Sequence, residues 1–189
     1  ASLAETGTLP LPDGDLAPIV AVPTTLAGAD LSRAAGITAG PESGLEEPVS
    51  GGIVDDRLFP AAVVADPSLV ATTPTEILAA SAMNGFDKGI ETIYAPTATP
   101  VTDATATRGL QYLTGSLPHL RGGADLPTYS RALVGTLLVQ YGVARRDATT
   151  LSLVHAFGHA LRAEADMHQG RAHGIVSPPV LDFVFAQAR

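Results

Sequence analysis

Hydrophobic and polar positions follow different patterns in the two halves of the chain. Before residue 66, short apolar runs lie between prolines, glycines and acidic residues, and the runs at 17–23 and 61–65 have the length and valine content of buried strands. Two weaker runs, 34–38 and 51–55, flank a segment rich in Gly, Pro and Glu, which predicts a β-hairpin. The pattern predicts an α/β region over residues 1–66.

After residue 66 the apolar positions recur at helical spacing and strand signals disappear. The first long helix is predicted to have Thr73 as its N-cap, Pro74 at its first position and Glu76 in its first turn, and to continue through 79–94. Pro178 and Pro179 are predicted to delay the start of the last helix. An all-helical part is therefore predicted over 67–189, with its further helices at 103–117, 130–142, 147–162 and 174–188.

Composition narrows the classes of partner. The chain has 189 residues, with 11 basic and 19 acidic side chains and a formal net charge of −8, which disfavours binding to nucleic acid or anionic membranes. It has no cysteine, so disulfides and thiolate metal sites are excluded. Residues 1–5 do not resemble a signal peptide, and no apolar run reaches the length of a membrane span. We expect a cytoplasmic protein that acts on a small molecule.

A group of polar residues lies inside the first long helix. Asn84, Lys88 and Glu91 share one helical face, and Lys88 is the single lysine of the chain. Gly85 and Gly89 lie beside them. This face is either a solvated stripe or the floor of a site.

Histidines mark a second helix. His155 and His159 are four residues apart, which is a common spacing for two ligands of one metal ion. The alternative is that both are polar residues of a packed helix, with their N–H groups bonded to carbonyls. His173 can reach back toward this helix, and His168 competes with it for that role. His119, which follows a proline, is predicted to be inert.

Residues 23–32 place Thr24, Thr25 and Gly28 directly after a predicted strand, where α/β proteins form ligand-binding loops. The same residues also suit a turn followed by a helix cap. As a set, however, five segments in this order resemble the iron-containing alcohol dehydrogenases, and most closely their maleylacetate reductase branch. These segments are Pro23–Ser32, Asp66–Leu69, Ser81–Glu91, Leu153–His159 and Ala172–Gly174.

The resemblance implies a dehydroquinate synthase-like fold, in which 1–66 is the remnant of a nucleotide-binding sheet and 67–189 is a helical metal and substrate domain. It also implies hydride transfer between NAD or NADP and an alcohol or carbonyl substrate, with iron or zinc as a Lewis acid. His159 matches an additional active-site histidine of the family. The resemblance implies one Asp and three His as metal ligands. Carried over by position, the Asp ligand falls on Asn84 and the His ligands on Lys88, His155 and His173, and the cofactor-lining residues fall on Thr24, Thr25 and Gly28.

Two departures from the family pattern change this picture. Asn84 is a neutral, weak ligand, and the ammonium of Lys88 would repel a divalent ion. We therefore predict that Lys88 replaces the metal and polarises the substrate oxygen, with a solvated surface lysine as the alternative. The second departure is that residues 1–16 contain no Gly-rich phosphate-binding turn, so the chain is predicted to be truncated at both ends relative to the family.

Two rival functions follow from the same residues. A dehydroquinate synthase-type lyase would need a basic cluster for a phosphate group, and the candidates for it are Arg145, Arg146, Arg162 and Arg171. A non-catalytic module would keep the helical scaffold for subunit contacts. For the oxidoreductase we expect a homo-oligomer.

Overall fold

The computed structural model describes residues 6–8, 13–40, 42, 44, 48–143, 152–165 and 167–187. The chain divides into two compact units. The first comprises Ala1–Ala21 and Asp30–Val64, and the second comprises Val22–Ala29 and Ala65–Arg189. The segment Val22–Ala29, which carries Thr24 and Thr25, therefore groups with the helices, although its sequence position places it within the sheet region.

The described part of the first unit holds two pairs of strands. Strand β1 (Val20–Ala21) pairs in parallel with β4 (Ala62–Val63), and β2 (Ala34–Ala39) pairs antiparallel with β3 (Val49–Val54). The predicted hairpin is thus confirmed. Short strands also lie within the predicted runs 17–23 and 61–65, but the prediction that these runs are buried is wrong, because Val20 and Val64 are 58% and 52% exposed. Among the described residues each of these strands has a single partner strand, and two residues of pairing cover little side-chain surface.

The second unit is helical, as the periodicity after residue 66 predicts. Its helices are α1 (Pro67–Val70), α2 (Thr75–Tyr94), α3 (Pro100–Ser116), α4 (Leu126–Val143), α5 (Leu153–Ala165) and α6 (Gln169–Gln187). A one-turn 3₁₀ segment, Leu117–His119, follows α3 and includes His119. The predicted start of α5 at residue 147 lies outside the described residues, as do Arg145 and Arg146.

The start of α2 differs from the prediction. Pro74 is the N-cap residue and its backbone is extended, so the helix begins at Thr75 and has no side-chain cap. The Thr73 hydroxyl donates instead to the Thr24 carbonyl, at 2.6 Å. The predicted capping role of Thr73 is therefore wrong, because a tertiary contact with the segment Val22–Ala29 takes its hydroxyl.

The start of α6 also differs from the prediction. This helix begins at Gln169, and Pro178 and Pro179 lie inside it. The two prolines remove two backbone donors, but the residues one turn earlier, Gly174 and Ile175, are exposed, so water can reach that part of the helix. Buried residues before the prolines, including His173, anchor the helix on α2.

Glycines allow the helices of this unit to approach closely. A Cβ at Gly170 would lie 1.7 Å from the carbonyl oxygen of Ala80, so the first turn of α6 rests on the backbone of α2. A Cβ at Gly109 of α3 would lie 2.6 Å from the carbonyl oxygen of Gly135 in α4. The core beside these contacts includes Leu26, Val70, Leu78, Ala82, Leu120, Tyr129, Ala132 and Leu133.

None of the described helices is both long enough and apolar enough to cross a membrane.

Candidate active site

The segment Val22–Ala29, called the threonine loop below, is fixed to the helices by hydrogen bonds. The Leu26 amide donates to Oγ of Ser81 at 3.1 Å, and Ser81 in turn donates to the Leu78 carbonyl. Leu26 is fully buried in the core. Gly85 of α2 lets the loop lie close, since a Cβ there would come within 2.4 Å of the Leu26 carbonyl oxygen.

Lys88 also contacts this loop. Its Nζ donates to the carbonyl oxygens of Ala27 at 2.9 Å and Gly28 at 3.2 Å, and to Oε1 of Gln140 at 3.2 Å. The residue is buried, so the prediction of a solvated surface lysine is wrong. Gly28 has a φ of +67°, and a Cβ on it would lie 2.9 Å from Oε1 of Gln140. The backbone at Gly28 is therefore shaped to bring its carbonyl to Lys88.

His155 lies between two polar residues of the face predicted on α2. Its Nδ1 is 2.5 Å from Oε2 of Glu91, and its Nε2 is 3.1 Å from Oδ1 of Asn84. The backbone amide of His155 also donates to Oε1 of Glu91. The polar face of α2 is thus packed against α5 and is not a solvated stripe, because Lys88 and Glu91 are buried. Its assignment as the floor of a site stays a prediction.

His173 pairs with a second carboxylate of α2. Its Nδ1 lies 3.0 Å from Oδ2 of Asp87, and both side chains are fully buried, although the two atoms are not aligned for a hydrogen bond. The Ser177 hydroxyl donates to Oδ1 of Asp87 at 2.7 Å. The rings of His155 and His173 meet edge to face, with their centroids 4.4 Å apart. Two imidazole–carboxylate pairs therefore lie side by side.

The environment of Glu91 favours its charged form. Burial alone would raise the pKa of Glu91, but the hydrogen bond and positive charge of His155, with backbone N–H groups at Ser152 and His155, lower it below its usual value. Glu91 is consequently a carboxylate over the whole neutral range.

The environment of His159 favours its neutral form. Burial lowers the pKa of His159, and the nearby His155, His173 and Arg162 lower it further. Its Nε2 lies 3.4 Å from the amide nitrogen of Gln169. An amide nitrogen donates, so this contact suits a neutral imidazole with Nε2 as the acceptor.

A cavity of about 450 Å³ opens beside these residues. The threonine loop contributes Thr25 and Ala27 to it, and Asn84 joins them from α2. No acidic side chain is among the described residues that line it, so its charge comes from Arg162, within a chain of net charge −8. Its lining is formed by Thr25, Ala27, Ile77, Ser81, Asn84, Arg162, Met167, His168, Gln169 and Gly170.

The predicted site residues take different places around this cavity. Thr25 and Asn84 line it, whereas His155, His173 and Lys88 lie in the packed layer of the same unit, and Gly28 packs against Gln140. The Thr24 carbonyl is bonded to Thr73, and His159 is exposed outside the described lining, beside the lining residue Gln169.

Four polar lining residues were not among the residues predicted to bind the cofactor, the metal or the substrate: Ser81, Arg162, His168 and Gln169. Arg162 was considered only for the rival lyase, and His168 only as a competitor of His173. The sequence does indicate Arg162, because it lies three residues after His159 and so shares the helical face of His155 and His159.

The four residues at the implied metal position do not fit a divalent ion. Asn84 brings no charge, and Lys88 brings an ammonium that already has three oxygen neighbours. Both ring nitrogens of His155 have oxygen neighbours of their own. The buried ring of His173 packs on Gly158, where a Cβ would lie 2.6 Å from Nε2. Within the described part of the chain, no three His, Cys, Asp or Glu side chains are arranged to hold one ion.

The second unit is a helical domain with a polar cavity, and the threonine loop is hydrogen-bonded to its helices at the edge of that cavity. The model of the Fe-containing alcohol dehydrogenase family, C-terminal, matches residues 78–189. The chain belongs to this family, whose relatives here are dehydrogenases and reductases.

Three relatives show the extent of the similarity. The maleylacetate reductase of Pseudomonas aeruginosa is 31% identical over 167 residues, covering 88% of this chain and 45% of the relative. The crystal structure of maleylacetate reductase from Agrobacterium tumefaciens superposes with a TM-score of 0.80 at 25% identity, over 91% of this chain and 47% of that one. The fold of sulfoacetaldehyde reductase from Bifidobacterium kashiwanohense, crystallised with NAD+, matches with a TM-score of 0.73 at 21% identity, over 83% and 40% of the two chains. The chain thus spans about half the length of the relatives that it matches.

Proposed function

We propose that the chain forms the substrate side of an NAD(P)-linked oxidoreductase, which transfers a hydride between the nicotinamide and an alcohol or carbonyl carbon. The observation that carries this proposal is the cavity that the threonine loop shares with α2, α5 and the start of α6. Membership of the family and the NAD+ complex of a relative support a nicotinamide cofactor. Thr24, Thr25 and Gly28 stay predicted as cofactor-binding residues.

In this proposal the polar residues of the cavity hold the substrate oxygen. Asn84 uses Oδ1 on His155, which leaves its amide N–H groups as donors to the substrate. The guanidinium of Arg162 stabilises negative charge that develops on that oxygen. His159 lies outside the lining, next to the lining residue Gln169, and in this proposal it carries the proton, because a neutral imidazole can both accept and release one near neutral pH.

The proposed reaction needs no metal at the position of Asn84, Lys88, His155 and His173. The role predicted for Lys88, polarising the substrate oxygen, stays a prediction. Its three N–H donors already have three oxygen neighbours, so a substrate oxygen would have to displace one of them. The surroundings of Lys88 therefore favour a role in holding the threonine loop.

The wider assignments are also proposals. We propose that 1–66 is part of a dehydroquinate synthase-like nucleotide-binding domain, and that 67–189 is the helical domain. The parallel pairing of β1 with β4 supports this, because nucleotide-binding sheets of the α/β class are parallel. The homo-oligomer stays a prediction.

The test is to titrate the purified chain with NADH and then to follow NADH oxidation with maleylacetate or a short aldehyde. We expect binding, and turnover that a chelator does not reduce and that Arg162→Gln lowers. Arg108→Gln is the matched control, because Arg108 lies on α3 outside the cavity. A folded chain that binds no NADH would overturn the proposal and favour a non-catalytic module.

A further inference from the structure

Lys88 has surroundings that a substrate-binding lysine would not need. It is 8% exposed, and its ammonium meets three oxygens at 2.9, 3.2 and 3.2 Å. An ammonium has three N–H donors, and these three oxygens lie within hydrogen-bond distance of it. A buried cation is costly unless such acceptors surround it. The three oxygens therefore stabilise the ammonium where it is.

These acceptors come from parts of the chain that are distant in sequence. Two are consecutive backbone carbonyls of the threonine loop, which lies 60 or more residues before Lys88, and the third is the side chain of Gln140 in α4. The positive φ of Gly28 is part of the same arrangement, since any side chain there would collide with Gln140. One ammonium thus joins α2, α4 and the loop.

The contact with Lys88 completes the attachment of the threonine loop. The early part of the loop is held by Thr73, through the Thr24 carbonyl, and by Ser81, through the Leu26 amide. The later part, Ala27 and Gly28, is held by Lys88. The two cavity-lining residues of the loop lie within this attached segment: Thr25 is between Thr24 and Leu26, and Ala27 is itself held by Lys88.

We propose that Lys88 is a positioning residue whose ammonium binds the carbonyls of Ala27 and Gly28 and so holds the threonine loop at the edge of the cavity. In this role the lysine acts through the loop and does not touch the substrate. The proposal rests on the proposed function only for its kinetic readout.

The test compares Lys88→Met with the unaltered chain by amide hydrogen exchange, measured residue by residue with NMR. Methionine keeps the length of the side chain but donates no hydrogen bond. We expect exchange of the Leu26 amide, which is hydrogen-bonded to Ser81, to accelerate at least about tenfold when the loop is released, because hydrogen bonds from a charged donor are among the stronger ones. Exchange in α3 should not change. The control Ile93→Ala, an exposed position on the same helix, should leave the loop unaffected.

Chemical rescue separates the hydrogen bonds from simple packing. In Lys88→Ala, added ethylammonium should restore slow exchange in the loop, whereas tetramethylammonium, which has the charge but no N–H group, should not. Equal effects of the two cations would overturn the proposal. If these variants do not fold, Gln140→Met removes one of the three acceptors, and we expect a smaller acceleration of loop exchange, about threefold.

Kinetics distinguish the two roles of Lys88. For a positioning role we expect Lys88→Met to raise KM for the cofactor or substrate more than it lowers kcat, with faster loop exchange. A lower kcat with unchanged loop exchange would overturn the proposal and assign Lys88 to the substrate. If the chain has no turnover, the proposed function fails, while the exchange and rescue experiments still test the loop.

Discussion

The imidazole of His155 lies with its Nδ1 2.5 Å from Oε2 of Glu91, and neither side chain is more than 5% exposed. This pair joins α5 to the middle of α2. Because both groups are removed from water, each depends on the other for its stabilisation, and loss of one leaves an uncompensated polar group in the core.

Replacement of Glu91 by Gln should therefore destabilise the fold strongly. We expect the free energy of unfolding to fall by about 3 kcal/mol, because removing one partner of a buried pair is far more costly than removing an exposed charge. Urea denaturation followed by circular dichroism measures this change. Glu76→Gln, an exposed position at the start of the same helix, should change stability by no more than about 0.5 kcal/mol. Similar effects of both substitutions would contradict the assignment of Glu91.

The same carboxylate predicts an acid-sensitive fold. The pKa of Glu91 is lower in the folded state than in the unfolded chain, so its contribution to stability is present above the unfolded value of about 4.3 and is lost as the pH falls through the folded pKa. Unfolding free energies measured by urea titration from neutral pH into the acid range should show this loss. In Glu91→Gln the dependence should be shallower, and an unchanged slope would contradict the prediction.

His159 should titrate below the ordinary histidine range. Burial and then the charges of His155, His173 and Arg162 lower its pKa, so NMR titration of its ring protons should give a midpoint under about 6.5. Arg162→Gln removes one repulsive charge and should raise that midpoint. Arg171→Gln, on the exposed side of α6, should leave it where it is. A midpoint that Arg162→Gln does not raise would show that the guanidinium lies too far away to act.

Gly158 should not tolerate a side chain. A Cβ there would come within 2.3 Å of the ring of His173, which is buried and has no room to move. We expect Gly158→Ala to cost about 1–3 kcal/mol of stability, as overpacked cores do. Gly115→Ala is the matched control, since nothing lies within 4 Å of a Cβ at that helical position. It should stabilise the protein by about 0.5–1 kcal/mol, through the higher helix propensity of alanine.

The metal position provides a further test. Because Lys88 is a cation and His155 is paired on both sides, we expect purified protein to contain no stoichiometric iron or zinc and calorimetry to detect no tight zinc binding. The double variant Asn84→Asp with Lys88→His restores the ligand types that the family resemblance implies, and it should bind zinc at least about tenfold more tightly. One equivalent of metal in the unaltered protein would refute the prediction.

Much of the helical architecture could be predicted because apolar periodicity is a property of each segment alone. The spacing of Asn84 and Glu91 predicted that they share one helical face, and both of these side chains contact His155 of α5. Which polar residue meets which histidine depends on the rotation of each helix about its axis. Sequence spacing does not specify that rotation, and it is Glu91, not Lys88, that contacts His155.

The partners of Lys88 could not be predicted because two of them are backbone carbonyls. A carbonyl is present at every position, so Ala27 and Gly28 carry no side-chain signal for an ammonium. The cavity-lining roles of His168 and Gln169 depend on where α6 begins, and the prolines at 178 and 179 pointed to a later start. A helix that is anchored by buried residues ahead of its prolines can continue through them, and this anchoring comes from tertiary packing.

The contact between Gly170 and the carbonyl of Ala80 has a consequence for how this sequence can vary. A library that samples every amino acid at position 170 should recover only glycine among folded clones, whereas Gly115 should accept many residues. Substitutions at 170 would be rescued only by second changes that move α6 away from α2, and such changes would widen the cavity that Gly170 lines. The diversification of this site is therefore restricted by a position that contributes no functional group to it.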